Sequence, residues 1–299
     1  MIQPITLDAI ARESGGLTMV AMDQRESLRA MFDAAGAGRP ADDVLVRFKL
    51  DVAEILGRVA SGFLIDRQYG FDRVRKAPGG LLPASTGLIL AADALTQDAG
   101  GPVDETALDA VVAADDFDLT GVSALKLLVI WRRDEKRQQR VELVESFIDL
   151  ARRRGVLSVL EPVVRATPRE LDDGSWDPDV AIREAAAELS ILRPSLYKSQ
   201  VPLSGRGSSK EQYDASVALD HAITGPWVVL SQGVERDAFL PAVEAACRAG
   251  ASGFLAGRAL WSDIVGRADV RGDLESIALP RLERLQAVVD TEARPWRQA

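Results

Sequence analysis

Eight short apolar runs recur along this chain, and few folds accommodate them all. They read TMVAMD (18–23), GFLID (62–66), TGLILAAD (86–93), ALKLLVI (124–130), VLSVLEPVV (156–164), LYKSQVP (196–202), WVVLS (227–231) and GFLAG (253–257). Apolarity is continuous within each run, the pattern of parallel strands covered on both faces. Most runs are preceded by a segment of helical period. In 134–154, Val141, Val144, Phe147, Ile148 and Ala151 line one face. Asp134 is placed to cap this helix, basic residues fill its last turn, and Gly155 stands just beyond as a stop. The same order returns where Gly250 follows a helix ending near Ala249. Eight strands alternating with helices in 299 residues predict one closed α/β barrel, the (β/α)8 or TIM barrel, as a single domain over 1–299. A doubly wound open sheet is the alternative, but no Gly-rich dinucleotide fingerprint follows the first strand. Two polar stretches, 165–179 and 204–212, follow strands and are expected as loops at the barrel's C-terminal mouth.

Composition narrows the function classes. The formal charge is −9 with no long basic block, which disfavours nucleic acid as a partner. Cys247 is the single cysteine, so no intrachain disulfide forms and a reducing compartment fits best. The single histidine, His221, lies in a helix-like segment away from the strand ends. With so few His and Cys ligands a zinc enzyme is not expected, and neither metal nor cofactor is called for. The acidic run AADDFD (113–118) reads as a solvated segment. The N-terminus lacks the basic flank and apolar core of a signal peptide, and no apolar stretch approaches a membrane span. A cytoplasmic location is expected, without membrane contact. Helices on the outside of the barrel, such as one near 259–292, could support a homo-oligomer.

Lys198, inside the apolar run LYKSQVP, is costly to keep charged there. Other polar residues collect at the strand ends. The first strand ends in Asp23, followed by Gln24 and Arg25, and the second ends in Asp66. The fourth carries Lys126, the fifth Glu161 and the sixth Lys198. The seventh ends in Ser231, Gln232 and Gly233, and the eighth in Gly257 and Arg258. Strand side chains alternate between faces, so Leu125 and Leu127 face the helices while Lys126 and Lys198 point into the barrel. The bland reading is a buried ion-pair network. Two lysines with Asp23 and Glu161 on one face favour a catalytic site instead. An ordinary lysine has a pKa near ~10.4, and reaching about 7 takes roughly 4–5 kcal/mol, which dehydration and a neighbouring cation supply. A neutral amine attacks a ketone to form an imine; Glu161 or Asp23 then moves protons during carbon–carbon cleavage. Gln24, Arg25 and Asp66 are candidate substrate contacts. Loops after the last two barrel strands often hold phosphate, so Ser231, Gln232, Gly233, Gly257 and Arg258 are the candidate anion site.

At these positions MVAMDQRESLRAMF, ALKLLVIWR, EPVVR, LYK and GASGFLAGRALW resemble the bacterial class I aldolases that include tagatose 1,6-bisphosphate aldolase. They are most similar to the branch that cleaves 6-deoxy-6-sulfofructose 1-phosphate. The resemblance runs from about residue 10 to beyond 260 and implies a metal-independent (β/α)8 lyase. It makes Lys198 the Schiff-base lysine, with Lys126, Glu161 and Asp23 around it. It implies a sugar-phosphate substrate cleaved to dihydroxyacetone phosphate and an aldehyde, 3-sulfolactaldehyde in the sulfosugar branch. The chain departs from the family at Gln200, where relatives carry an acid, and at Gln232, where the sulfosugar enzyme has a serine. The segment DRQYGFDRV matches neither branch cleanly, although Tyr69-Gly70 is similar to the tagatose type. Rival readings are the same chemistry on tagatose or fructose bisphosphate, an enediol isomerase, and a sugar-phosphate sensor without turnover.

Overall fold

A computed structural model describes residues 5–77, 79–99 and 101–299. The first three strands are β1 (Leu17–Met22), β2 (Gly62–Ile65) and β3 (Gly87–Ala91). A hairpin of β4 (Asp93–Gln97) and β5 (Val103–Leu108) follows. The remaining strands are β6 (Val122–Trp131), β7 (Leu157–Val164), β8 (Leu196–Ser199), β9 (Trp227–Val229) and β10 (Gly253–Ala256). All but the hairpin pair in parallel and close a barrel in the order β1-β10-β9-β8-β7-β6-β3-β2. Each of the eight apolar runs supplies one barrel strand.

Two cores follow from the alternation of side chains. Outward-facing Leu125, Leu127, Leu160 and Tyr197 pack with helix residues such as Phe147 and Leu189. Inward-facing Met19, Ala21, Ile89, Ala91, Ala124, Val159, Leu196 and Leu255 fill the barrel. Lys126 pairs in register with Ala91 and Val159, which sets its side chain on the inner face.

Several local details differ from the sequence reading. The helix expected over 134–154 runs Arg137–Arg153, with Lys136 as N-cap. Asp134 sits a half-turn earlier and accepts the Lys136 amide at 3.0 Å and Arg140 Nη1 at 2.5 Å, so its charge goes into a turn and an ion pair. Gly155 does follow the helix, at φ +67°. The stretch 165–179 contains a short helix, Pro168–Asp172, held by a Thr167/Glu170 capping box. Residues 204–212 are mostly taken by the turn Pro202–Gly205 and the start of the helix Ser209–Asp220. The outer segment near 259–292 is several short pieces ahead of one helix, Leu279–Glu292.

The hairpin is the largest unexpected element. DALTQ alternates in burial and VDETAL does so with one break, the two flank a Gly/Pro segment of the sequence, and β5 packs beside β6 at the barrel rim. Arg132 to Asp104 at 2.7 Å and Lys136 to Glu105 at 2.8 Å tie β5 to the segment after β6.

Candidate active site

The inward register of the barrel continues past the ends of the strands. Counting by twos from Met19, Ile89, Ala124, Val159 and Leu196 reaches Asp23, Asp93, Lys126, Glu161 and Lys198. These five side chains meet at the C-terminal mouth, where a cavity of about 840 Å³ opens. Asp23, Asp93, Lys126 and Glu161 face it directly. Lys198, 3% exposed, stands one side chain back, behind Glu161.

The contacts are close. Lys126 Nζ lies 2.7 Å from Asp23 Oδ2, 3.0 Å from Asp93 Oδ2 and 2.9 Å from Glu161 Oε2. Lys198 Nζ lies 2.9 Å from Glu161 Oε1. Glu161 therefore bridges the two lysines with one oxygen each. Its Oε2 meets Lys126 at ion-pair distance but outside hydrogen-bond geometry, which leaves a lone pair to accept a proton.

Burial and charge make the two amines chemically different. Burial alone would lower the pKa of Lys126, but Asp23, Asp93 and Glu161 outweigh it and raise the pKa well above the ordinary lysine value. For Lys198 burial is the dominant cause; Glu161 opposes it, the Lys126 cation adds to it, and the pKa is lowered. Burial pushes the Asp23 carboxyl up, yet Lys126 and Lys198 hold it well below the carboxylate range. One amine is held charged and the other is inclined to lose its proton.

Arginines surround this core. Arg25 donates to the carbonyl oxygen of Asp93 at 2.9 Å and to Asp93 Oδ1 at 2.7 Å. Arg67 pairs with Asp109 at 2.8 Å. Arg165 and Arg258 line the cavity too, yet neither guanidinium has an ion pair or side-chain hydrogen bond among the described residues. Burial lowers the pKa of both, and for Arg165 the charges of Arg132 and Arg258 add to the effect. Two half-buried cations left unpaired are costly unless an anion joins them.

The expected substrate contacts divide. Gln24, Arg25, Gln232 and Arg258 line the cavity. Ser231, Gly233 and Gly257 do not line it: Ser231 and Gly257 are buried and Gly233 is exposed. Ser231 Oγ accepts the Ala259 amide at 3.5 Å, and a Cβ on Gly257 would come within 2.4 Å of the Ala21 carbonyl oxygen, so glycine lets β10 close against β1. Gly233 has φ +80°. Asp66 is not brought to the cavity. It is fully buried away from the cavity, with Oδ1 at 2.5 Å from Lys49 Nζ and Oδ2 accepting the Tyr69 amide at 2.7 Å. Its charge is spent neutralising Lys49, a helix residue that the sequence reading passed over.

Asp93 and Arg165 were also passed over. Both were within reach of the alternation argument, since each continues the inward face of its strand. Asp93 closes the run TGLILAAD, and Arg165 follows EPVV. His221 caps the end of an outer helix and is exposed, away from this site. Cys247 is buried on a helix, its thiol pushed up to about 12 mainly by burial. In the 113–118 run, Asp118 pairs with Arg75 and Phe117 stacks on Phe71, so that segment is partly packed. Among the described residues no cluster of three or more His, Cys, Asp or Glu is arranged to hold a metal ion. Nor is any helix long and apolar enough to cross a membrane.

Comparisons with known proteins give the family and the fold. The model of the DeoC/LacD family aldolases matches residues 17–263. Tagatose 1,6-diphosphate aldolase of Streptococcus agalactiae serotype V is 23% identical over 328 residues, covering 98% of this chain and 97% of the relative. The Listeria monocytogenes serotype 4a protein of that name is 26% identical, covering 97% and 92%. Among solved structures, fructose-bisphosphate aldolase from Plasmodium falciparum superimposes with a TM-score of 0.69 at 12% identity, covering 96% of this chain and 94% of that one. An archaeal fructose-1,6-bisphosphate aldolase, solved with its catalytic lysine bound to a carbinolamine, gives 0.58 at 16% identity, covering 93% and 98%. A barrel whose mouth gathers two unlike lysines around one carboxylate, matched by a family model across most of its length, belongs to the DeoC/LacD family of class I aldolases.

Proposed function

We propose that this aldolase cleaves a ketose 1-phosphate bearing a second anionic group, with 6-deoxy-6-sulfofructose 1-phosphate as first choice, through a Schiff base on Lys198. The observation that carries the mechanism is the unequal pair of lysines bridged by Glu161. Lys198, with its lowered pKa, is the amine suited to attack a ketone. Because it stands behind Glu161, the ketone carbon reaches it only as the Lys198–Glu161 contact opens. Attack gives a carbinolamine, and loss of water gives the iminium. A base then takes the proton of the hydroxyl beyond the bond to be cleaved. The electrons of that bond move into the iminium, and an aldehyde leaves. Protonation of the enamine and hydrolysis release dihydroxyacetone phosphate and restore Lys198. Glu161 Oε2, free of hydrogen bonds, and Asp23 are the proton carriers within reach. The Lys126 ammonium serves as a fixed positive charge for developing oxyanions.

The unpaired guanidinia of Arg165 and Arg258 support a substrate with anionic ends. The sulfosugar assignment rests on the sequence blocks around residues 19–26, 161–165 and 253–259. Tagatose 1,6-bisphosphate is the second reading, favoured by the names of the curated relatives. A side-by-side assay of triose release from both sugars, with fructose 1,6-bisphosphate as third arm, separates them. We expect kcat/KM to be higher for the sulfonate. A bisphosphate cleaved more efficiently would overturn the substrate choice while leaving the chemistry intact.

A further inference from the structure

Asp93 is 1% exposed and opens strand β4. Its Oδ2 accepts from Lys126 Nζ at 3.0 Å and from the Leu128 amide at 3.1 Å. Its Oδ1 accepts from Arg25 Nη2 at 2.7 Å, and its carbonyl oxygen accepts from Arg25 Nη1 at 2.9 Å. Both carboxylate oxygens are thus committed to cations or an amide, and Asp93 is poorly placed to shuttle protons. Glu161, with one oxygen free of hydrogen bonds, is the contrast.

We infer that Asp93 is a positioning residue: its carboxylate fixes the Lys126 ammonium in a cage of three carboxylates and so leaves Lys198 as the only amine free to attack. Two lysines share Glu161, and Lys126 is the one that fronts the cavity. On its place in the cavity lining alone, Lys126 would meet a substrate carbonyl first. What disqualifies it is its charge, and of the carboxylates holding that charge Asp93 contacts Lys126 without bridging to Lys198. Glu161 pairs with both lysines, and Asp23 feels both. The charged groups facing Lys126 are Asp23 beyond β1, Asp93 at β4, Glu161 on β7 and Lys198 on β8, with Arg25 and Arg258 further out. Replacing Asp93 with a neutral isostere removes an anion that touches Lys126 and not Lys198.

This inference rests on the reading of Lys198 as the reacting amine, but its test needs no sugar. A small acylating reagent modifies neutral amines, so the pH at which each lysine begins to react, read by peptide mass, reports its ionisation. In the wild-type protein we expect Lys198 to react at lower pH than Lys126. In Asp93→Asn the midpoint for Lys126 should move down by about one pH unit or more, and Asp93→Glu should restore most of the shift. Kinetically, D93N should lower kcat about tenfold or more with little change in KM, and the loss should grow toward high pH. A D93N protein with unmoved lysine midpoints and a rate loss equal at every pH would reduce Asp93 to a packing role. The wild-type order of reactivity needs no variant; Lys126 reacting first would overturn the inference even if D93N did not fold. Failure of the wild-type protein to form any sugar adduct, with the labelling order as stated, would instead count against the Schiff-base reading.

Discussion

Glu161 holds one lysine with each oxygen, so a change there reaches both amines at once. Glu161→Gln keeps the shape and removes the proton acceptor. We expect kcat to fall roughly 10²–10⁴-fold, the range for loss of a general acid–base, with the fold intact by circular dichroism. A fall of less than tenfold would shift the shuttle to Asp23. The pH–rate profile has a definite sign. Lys198 works as the neutral amine, so kcat/KM of the free enzyme should rise with pH through its lowered pKa, below the ordinary lysine value of 10.5. Lys126 has its pKa raised, so its charge persists beyond that range and no descending limb from it is expected below pH 10.5. The inward-facing residues among these were legible in sequence, because side chains alternate along a strand and the parity of Ala124 and Leu196 carries to Lys126 and Lys198. Asp66 shows where that argument stops. It shares the parity of the inward-facing Leu64, yet the chain turns after β2 and hands its carboxylate to Lys49, in the helix Asp42–Ile55 that no strand pattern describes.

At the scale of elements, the barrel strands were readable because continuous apolarity marks a strand covered on both faces. The hairpin was not. Its strands are half exposed, and its partly polar residues carry too little apolar periodicity to stand out. It nonetheless roofs one side of the site, with Gln97, Pro102 and Val103 on the cavity wall. Barrel closure depends on a close backbone approach at Gly253, where φ is +139° and a Cβ would lie 1.9 Å from the Leu17 carbonyl oxygen. Gly253→Ala has to push β10 away from β1, so we expect thermal unfolding several degrees lower, in line with about 1–3 kcal/mol for a residue forced into a disallowed conformation. An unchanged midpoint would mean that the β1–β10 seam yields more easily than its geometry implies.

Over the whole molecule, net charge and local charge point in opposite directions. The chain carries −9 overall, yet its mouth keeps Arg165 and Arg258 without an ion pair among the described residues. Arg258→Gln or Arg165→Gln should each cost about 1.5–3 kcal/mol of binding to a charged substrate group, which is roughly 10–100-fold in kcat/KM. The loss should appear mainly in KM and shrink as ionic strength rises. Equal loss with an uncharged ketose would remove them from anion binding. Stability also depends on the site. Asp23 has its carboxyl depressed on folding, so its contribution is present above the unfolded carboxylate range and is lost as pH falls below about 4. Lys198→Met, which removes one of the cations that favour the Asp23 carboxylate, should weaken that acid dependence.

The most direct test is borohydride reduction of the protein mixed with 6-deoxy-6-sulfofructose 1-phosphate, and separately with tagatose 1,6-bisphosphate, read by intact and peptide mass. The account predicts a stable adduct on the peptide that holds Lys198, none on Lys126, and none in Lys198→Met. Folded protein that binds the sugar but traps no adduct, or traps it on Lys126, would contradict it.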